Sequence, residues 1–389
     1  GNTQMILLLR DDVVPGEAVY TVLSAQLDRL PGIRWRLHEE IGTEKVLREI
    51  YLIGSTSRLE AADMGMLPGV ERVIKVSQEY RILGRHKGSE RSSRFEYNGL
   101  VFSQDNLHVF AGLCAVDNEE NVAATMAALK ACGLTTTRMG AYKPRTSPYA
   151  FQGHGAACLP YVFRLADEHG IAVIAMEVTH ERHIDEIEQA RREVQARCGV
   201  MLQIGTRNTQ NFELLKAVGR QKRHPVLLKR GFGITLDETL NAAEYLASEG
   251  NTRIVLCLRG VKSNMGDPHR NLVDFAHVPT VKRLTRMPVC IDPSHSVGIR
   301  AAAPDGLSEI HHATAQGVIA GANMVLVDFH PRPAEALVDS AQALPLDQLG
   351  LFLEDVAITR RAYEARCALA QHAAAEANAK EATPIGVAQ

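Results

Sequence analysis

No two cysteines in this chain stand at CxxC spacing, no stretch approaches the ~18 apolar residues of a membrane-spanning helix, and neither sign of charge prevails. Each absence removes a class of protein. Seven scattered cysteines, an odd number, exclude a disulfide framework and point to reduced thiols in a cytoplasmic protein. A formal net charge of −2 and a pI near 6.8 argue against a general binder of nucleic acid or of an anionic membrane. The opening GNTQMILLLRDD lacks a basic region followed by a long apolar stretch and does not read as a signal peptide. The residues before Met5 are set aside from the fold. The remainder is ordinary: 389 residues, 46% hydrophobic and 23% charged, enough for a sizeable core and more than one domain.

Residues 5–85 read as one unit. MILLLR, RWRLHEEI, REIYLIG and VERVIKVS are short strands, with helical spacing in GEAVYTVLSAQLDRL and SRLEAADMGML. The order βαββαβ is that of a ferredoxin-like domain. A polar, Gly/Ser-rich stretch at 86–100 reads as a linker. Over 101–368, eight apolar runs recur between helical stretches: HVFAGLCA, LTTTRMG, IAVIAME, VMLQIG, PVLLKRG, RIVLCLRG, MPVCID and NMVLVDF. Runs without alternation suit strands buried on both faces. Eight of them, each followed by helix or loop, predict a (β/α)8 barrel. No GxGxxG follows the first run, which disfavours an open dinucleotide-binding sheet. The Ala-rich segment 370–389 is expected to end a helix and fray.

Each barrel run closes on a polar group. In order these are Cys114, Arg138, Glu177, Arg207, Lys229, Arg259, Asp292 with His295, and Asp328. In a (β/α)8 barrel those ends converge on one mouth, where active sites form. Arg138, Lys143, Arg145, Arg207, Lys229 and Arg259 would place six cations there. Arginine forks grip phosphate and carboxylate in pairs of bonds, and lysine acts as a point charge. The stretch RMGAYKPRTSP at 138–148 therefore reads as part of an anion site, stiffened by Pro144 and Pro148. A salt-bridged rim is the plain alternative. Cys114, His295, Asp328 and Asp339 offer a thiolate, an imidazole and two carboxylates, a mixture suited to Mn, Fe, Co or Zn rather than Mg or Ca. Spacing alone leaves open a buried thiol and a loop histidine instead.

With these residues assembled, the chain resembles the 3-deoxy-D-arabino-heptulosonate 7-phosphate (DAHP) synthase family, in its microbial subgroup with an N-terminal ferredoxin-like regulatory domain. The likeness spans about 5–365 and is carried by GAYKPRTSPYAFQG at 140–153, QIGTRNTQNF at 203–212, LLKRGF at 227–232, LRG at 258–260 and DPSHSVG at 292–298. It implies a barrel enzyme that condenses phosphoenolpyruvate with erythrose 4-phosphate and water. Position by position, it implies phosphoenolpyruvate binding by Arg138, Lys143, Arg207, Lys229 and Arg259. It implies erythrose 4-phosphate binding by Arg145 and Thr146, and a divalent metal on Cys114, His295, Asp328 and Asp339. Lys143, Glu177, Lys229 and His295 become the catalytic candidates, with Glu177 and Lys229 placed to position water and move protons.

KPRTS differs from the Asn-Arg-Ser type segment of the related synthase that uses arabinose 5-phosphate. The resemblance further implies a homodimer or homotetramer, and an aromatic amino acid effector, Tyr or Phe, at the N-terminal domain. Three departures stand out. Leu113 replaces a usual Pro beside Cys114, Asp328 replaces Glu, and Val297 replaces Gly, where it is expected to narrow the mouth beside His295. They keep open a specialised relative using another aldehyde, and a catalytically silent sensor.

Overall fold

The structure is a computed structural model that describes residues 4–41, 46–76, 80–86, 94–265 and 268–381. The first unit comprises β1 (Gln4–Leu9), α1 (Ala18–Asp28), β2 (Ile33–Ile41), β3 (Val46–Gly54), α2 (Ala61–Gly65) and β4 (Val70–Val76). Its antiparallel sheet has the order β2-β3-β1-β4, the ferredoxin-like arrangement. Period-two alternation gives the sheet two apolar faces. Met5, Leu7, Leu9, Ile50 and Leu52 meet Leu23 and Leu27 of α1 and Met64 of α2. On the opposite face Ile6, Tyr51, Ile74 and Val76 join Tyr80, Ile82 and Leu83 in the core that continues into the barrel. The first strand begins at Gln4, which pairs with Val76, so one residue set aside at the sequence level belongs to the sheet.

Between the units lies a hairpin, β5 (Phe95–Tyr97) and β6 (Leu100–Phe102). It occupies part of the stretch expected as linker; 87–93 of that stretch fall outside the described residues. Asn98 and Gly99 have φ of 48° and 81°, which fits the two-residue turn that Asn-Gly favours. Phe95 and Phe102 stack at 5.1 Å and pack with Phe110, Val173, Met201 and Met324 of the barrel interior.

The barrel is β7 (His108–Leu113), α3 (Glu119–Ala131), β8 (Thr136–Met139), α4 (Leu159–Glu168), β9 (Val173–Glu177), α5 (Arg182–Glu193), β10 (Gly199–Ile204), α6 (Phe212–Arg220), β11 (Val226–Lys229), α7 (Leu236–Ser248), β12 (Ile254–Leu258), α8 (Val278–Leu284), β13 (Val289–Ile291), α9 (Pro293–Val297), α10 (Glu309–Ile319) and β14 (Met324–His330). Consecutive strands pair in parallel, and β14 closes the ring onto β7 with Asp328 beside Gly112. The eight apolar runs are the eight strands. A short β15 (Leu344–Pro345) pairs beside β14. α11 (Leu349–Glu381) then takes in the first part of the Ala-rich segment, because alanine is the strongest helix former. The residues after Glu381 lie outside the described set.

The two units are joined by backbone contacts at the end of the barrel opposite its mouth. Gly84 bridges Thr285, and Arg286 N–H donates to the Leu83 carbonyl at 2.9 Å. Ile82 N–H donates to Glu244 Oε1 at 2.7 Å and Leu83 N–H to Oε2 at 3.3 Å. Burial pushes the Glu244 carboxyl up to about 7, and the backbone N–H groups of Ile82, Leu83 and Arg81 offset only part of that. Its folded pKa exceeds the unfolded one, so its contribution to stability is present at acid pH and is lost as pH rises through about 7. Denaturant unfolding at pH 5.5 and 8 checks this: Glu244→Gln should lose less stability across that interval than the wild-type chain. Equal losses would assign the pH dependence elsewhere.

Candidate active site

The strand order brings the charged run-ends together in a cavity of about 270 Å³ at the mouth. Lys143, Arg145, Thr146, Glu177, Arg207, Lys229, Arg259, His295 and Asp339 line it. Arg138 does not. Its guanidinium is buried below the cavity wall and paired with Asp328 Oδ1. Another cavity, of about 400 Å³, lies between residues 263–273 and α10, and neither lysine nor arginine lines it.

The six cations separate into two tiers. Arg138, Lys143, Lys229 and Arg259 are all buried, but only the first three have a carboxylate: Asp328, Glu177 at 3.4 Å and Asp292 at 2.6 Å. Removing a lone charge from water is expensive, so these pairs are what allows the lower tier to sit inside the barrel. Arg145, Arg207 and Arg259 have no carboxylate within ion-pair distance among the described residues. Arg145 donates to the Phe151 carbonyl and Arg207 to Thr146 Oγ1 at 2.8 Å. Arg207 and Arg259 share one aromatic ring, lying 5.2 and 4.9 Å from the Phe232 ring centroid. Burial lowers the Arg259 pKa, Asp292 opposing and nearby Arg270 adding to the effect. Of the six cations expected at the mouth, half are neutralised by the protein, and half have no carboxylate partner among the described residues and are left for a ligand.

Asp292 organises the lower tier. It ends β13 and caps α9, its Oδ1 accepting the His295 N–H at 3.0 Å, with Pro293 in the first helical turn. Its Oδ2 accepts from Lys229 Nζ at 2.6 Å and stands 2.8 Å from His295 Nδ1. Burial raises a carboxyl pKa, but His295, Lys229 and Arg138 hold Asp292 well below its usual range. Burial would likewise lower the His295 pKa, yet Asp292 and Asp328 outweigh it and push it up to about 10 in the absence of an ion. Lys143 is held protonated: burial opposes its charge, and Cys114 and Glu177 favour it.

The four ligand candidates converge. One donor atom each from Cys114, His295, Asp328 and Asp339 lies within 4.8 Å of all the others. Donors ~2.0–2.3 Å from a common ion stand no more than ~4.6 Å apart, so the set fits one ion with slight contraction. Cys114 Sγ is 3.4 Å from Asp339 Oδ2 and 3.8 Å from His295 Nε2. His295 presents Nε2 inward while Asp292 engages Nδ1, the usual way a metal-binding imidazole is oriented.

Two departures change meaning in the structure. Val297 is fully buried in the core and is absent from the cavity wall, so it does not narrow the mouth. It is buried because α9 packs against α10 and β14. Leu113 is held in register with Met139, so losing the usual proline leaves the backbone beside Cys114 tied by the sheet. Asp292, Gln203, Phe232, Arg270 and Gln342 were not assigned roles from sequence. The D-P-S-H pattern, an Asx cap followed by proline, could have marked Asp292; the others carry no local signal.

A parallel barrel with an anion cavity above a thiolate–imidazole–carboxylate cluster defines a class of enzyme acting on small anionic substrates with a divalent ion. Comparison makes this specific. The family model described as the DAHP synthetase I family matches residues 92–363, and the chain belongs to that family. It is 34% identical over 312 residues to the phospho-2-dehydro-3-deoxyheptonate aldolase of Thermotoga maritima, covering 80% of this chain and 86% of that protein. The crystal structure of the Thermotoga maritima aldolase (DAHP synthase) superposes with a TM-score of 0.65 at 30% identity, covering 93% of this chain and 98% of that one. A 2-dehydro-3-deoxyphosphooctonate aldolase of Nitratidesulfovibrio vulgaris is 28% identical over 264 residues, 64% of this chain and 90% of that protein.

The shared ring yields a test. Calorimetric titration with inorganic phosphate should show binding weakened several-fold in Phe232→Leu, which keeps apolar bulk, and retained in Phe232→Tyr, which keeps the aromatic face. Equal affinity in Phe232→Leu would make Phe232 a spacer only.

Proposed function

We propose that this chain condenses phosphoenolpyruvate with erythrose 4-phosphate and water, giving DAHP and phosphate. The observation that carries the reading is the upper tier: Arg145, Arg207 and Arg259 lack carboxylate partners among the described residues and line one cavity beside the Cys114–His295–Asp328–Asp339 cluster. Two substrates that both bring phosphate match that supply of charge. Arg207, Arg259, Lys143 and Lys229 would hold phosphoenolpyruvate, and Arg145 with Thr146 the phosphate of the sugar. Arg138 would act from beneath the wall, through Asp328 and the field of its buried charge.

In the reaction, carbon 3 of phosphoenolpyruvate forms a bond to the aldehyde carbon, whose oxygen gains a proton. Water adds its oxygen to carbon 2 and gives up a proton. The carbon 2–oxygen bond to phosphate then breaks, phosphate leaves with the electron pair, and the carbon 2 hydroxyl passes its remaining proton to the departing phosphate to become the ketone. Cys114, His295, Asp328 and Asp339 would hold a divalent ion, which when bound would supply Lewis-acid polarisation of the aldehyde. Lys143, held protonated 3.4 Å from Glu177, is the donor available in the lower tier. Glu177 orients water and takes its proton, and Lys229 on Asp292 stabilises charge at the leaving phosphate. Holding two mutually repelling anions in attack geometry is itself worth several kcal/mol.

Feedback by an aromatic amino acid at the N-terminal domain, assembly into a dimer or tetramer, and a cytoplasmic location extend the proposal, on the family resemblance. Among the described residues no helix is long and apolar enough to cross a membrane.

The test is phosphate release by metal-stripped protein, with and without Mn, offered phosphoenolpyruvate and each of several aldehydes. The expected outcome is metal-dependent release with erythrose 4-phosphate at roughly 1 per second or faster. Release only with arabinose 5-phosphate or another aldehyde would move the assignment to a specialised relative. Silence with every aldehyde, despite phosphoenolpyruvate binding, would make the chain a sensor.

A further inference from the structure

One relay of side chains outside the ligand set touches both of its carboxylates. Arg270 Nη1 lies 3.2 Å from Asp339 Oδ1 and 3.2 Å from Gln342 Oε1. Gln342 Nε2 lies 2.7 Å from Asp328 Oδ2. The neighbours fix the orientation of the amide: its oxygen meets a guanidinium that can only donate, and its nitrogen meets a carboxylate that can only accept. Gln342 is 1% exposed, so water does not compete for either end. It leads into β15, whose Leu344 pairs with Phe329, and this brings Gln342 alongside Asp328.

The same relay is fastened to the helix that carries His295. Arg270 N–H donates to the Val297 carbonyl at 2.9 Å and Asn271 N–H to the Ser296 carbonyl at 3.0 Å. Asn271 Nδ2 donates to the His295 carbonyl at 2.8 Å. Two glycines make room for this contact. A Cβ on Gly298 would stand 2.4 Å from Arg270 Cβ, and one on Gly260 would stand 2.7 Å from Asn271 Cβ. Asp339 has φ of 54°, a left-handed conformation that a non-glycine residue adopts only where neighbours hold it. The Gln342 and Ala343 N–H groups, donating to the Asp339 carbonyl at 3.1 and 3.3 Å, close that turn.

We infer that Arg270 and Gln342 are positioning residues of the metal site, holding Asp328 and Asp339 at a fixed separation before the ion arrives. This rests on the metal reading proposed above. Without the relay, Asp328 would keep Arg138 on Oδ1 but lose its partner on Oδ2, and Asp339 would keep only the His295 side and lose the cation on its far oxygen. With it, a guanidinium lies on the far oxygen of Asp339, leaving Oδ2 directed at His295 Nε2, 3.2 Å away. The amide limits rotation of Asp328 from its other oxygen. Positioning of this kind appears in metal affinity more than in substrate affinity.

The experiment titrates metal-stripped full-length protein with Mn²⁺ by calorimetry, and with Co²⁺ while following thiolate-to-cobalt absorption. Wild type is compared with Gln342→Met, Arg270→Met and Arg270→Lys. Methionine at 342 keeps length and approximate volume while removing both hydrogen bonds. The expected result is metal affinity reduced about ten- to a hundredfold in Gln342→Met and Arg270→Met. Arg270→Lys, which retains one donor, should lose less. Inorganic phosphate affinity of metal-free Gln342→Met should stay at the wild-type value, which separates loss of positioning from loss of the cavity. Wild-type metal affinity and cobalt spectra in both methionine variants would overturn the inference while leaving the metal site in place. Failure of wild type to bind either ion would overturn the metal reading itself. If Gln342→Met does not fold, the Arg270 variants decide the question, because that side chain is 39% exposed and its replacement leaves the core intact.

Discussion

Asp292 is fully buried, with Lys229 Nζ and His295 Nδ1 drawn to the same carboxylate oxygen. A buried carboxylate is tolerated only when paired and hydrogen-bonded, and the same holds for a buried lysine. Each member of this trio therefore needs the other two. Through Lys229 the trio reaches the anion cavity, and through His295 it reaches the cluster of ligand candidates. The cap that Asp292 places on α9 fixes the entry of the segment carrying His295. Removing this carboxylate would leave Lys229 without an ion-pair partner among the described residues and His295 with only Asp328 and Asp339.

The division of the mouth into compensated and uncompensated cations gives the site its chemical character. The lower tier is internally neutral and belongs to the fold. The upper tier is held by weaker means: a carbonyl, a hydroxyl and a shared aromatic ring. Arginines held this way need not break a strong ion pair to take a ligand, and their forks are already arranged around the cavity. Such preorganisation lowers the ordering cost that binding otherwise meets.

Much of this was legible in the sequence because it depends on period and position. Eight non-alternating apolar runs gave eight parallel strands, and residues at their C-terminal ends gave the mouth. Cys114, His295, Asp328 and Asp339 are far apart in the chain, and only closure of β14 onto β7 brings them together. The partner of Arg138 was not legible, because which carboxylate reaches a given guanidinium depends on strand stagger rather than on residue type. Val297 was misread because its direction is set by the turn of α9 against the core. The hairpin at 95–102 was hidden by its polar flank, although Asn98-Gly99 marked it. The tail's alanine content marked the helix that runs to Glu381.

The uncompensated tier also bears on how a substrate arrives. Three unbalanced guanidinium groups around one concave opening project a positive field into solvent, although the chain as a whole carries a formal charge of −2. Low-dielectric walls focus such a field and raise the encounter rate for anions. Its reach is about 8 Å at physiological ionic strength and shrinks to roughly 3 Å in molar salt. Capture from solution is thus a property of the opening and fades with added electrolyte, while the buried pairs beneath it are screened far less.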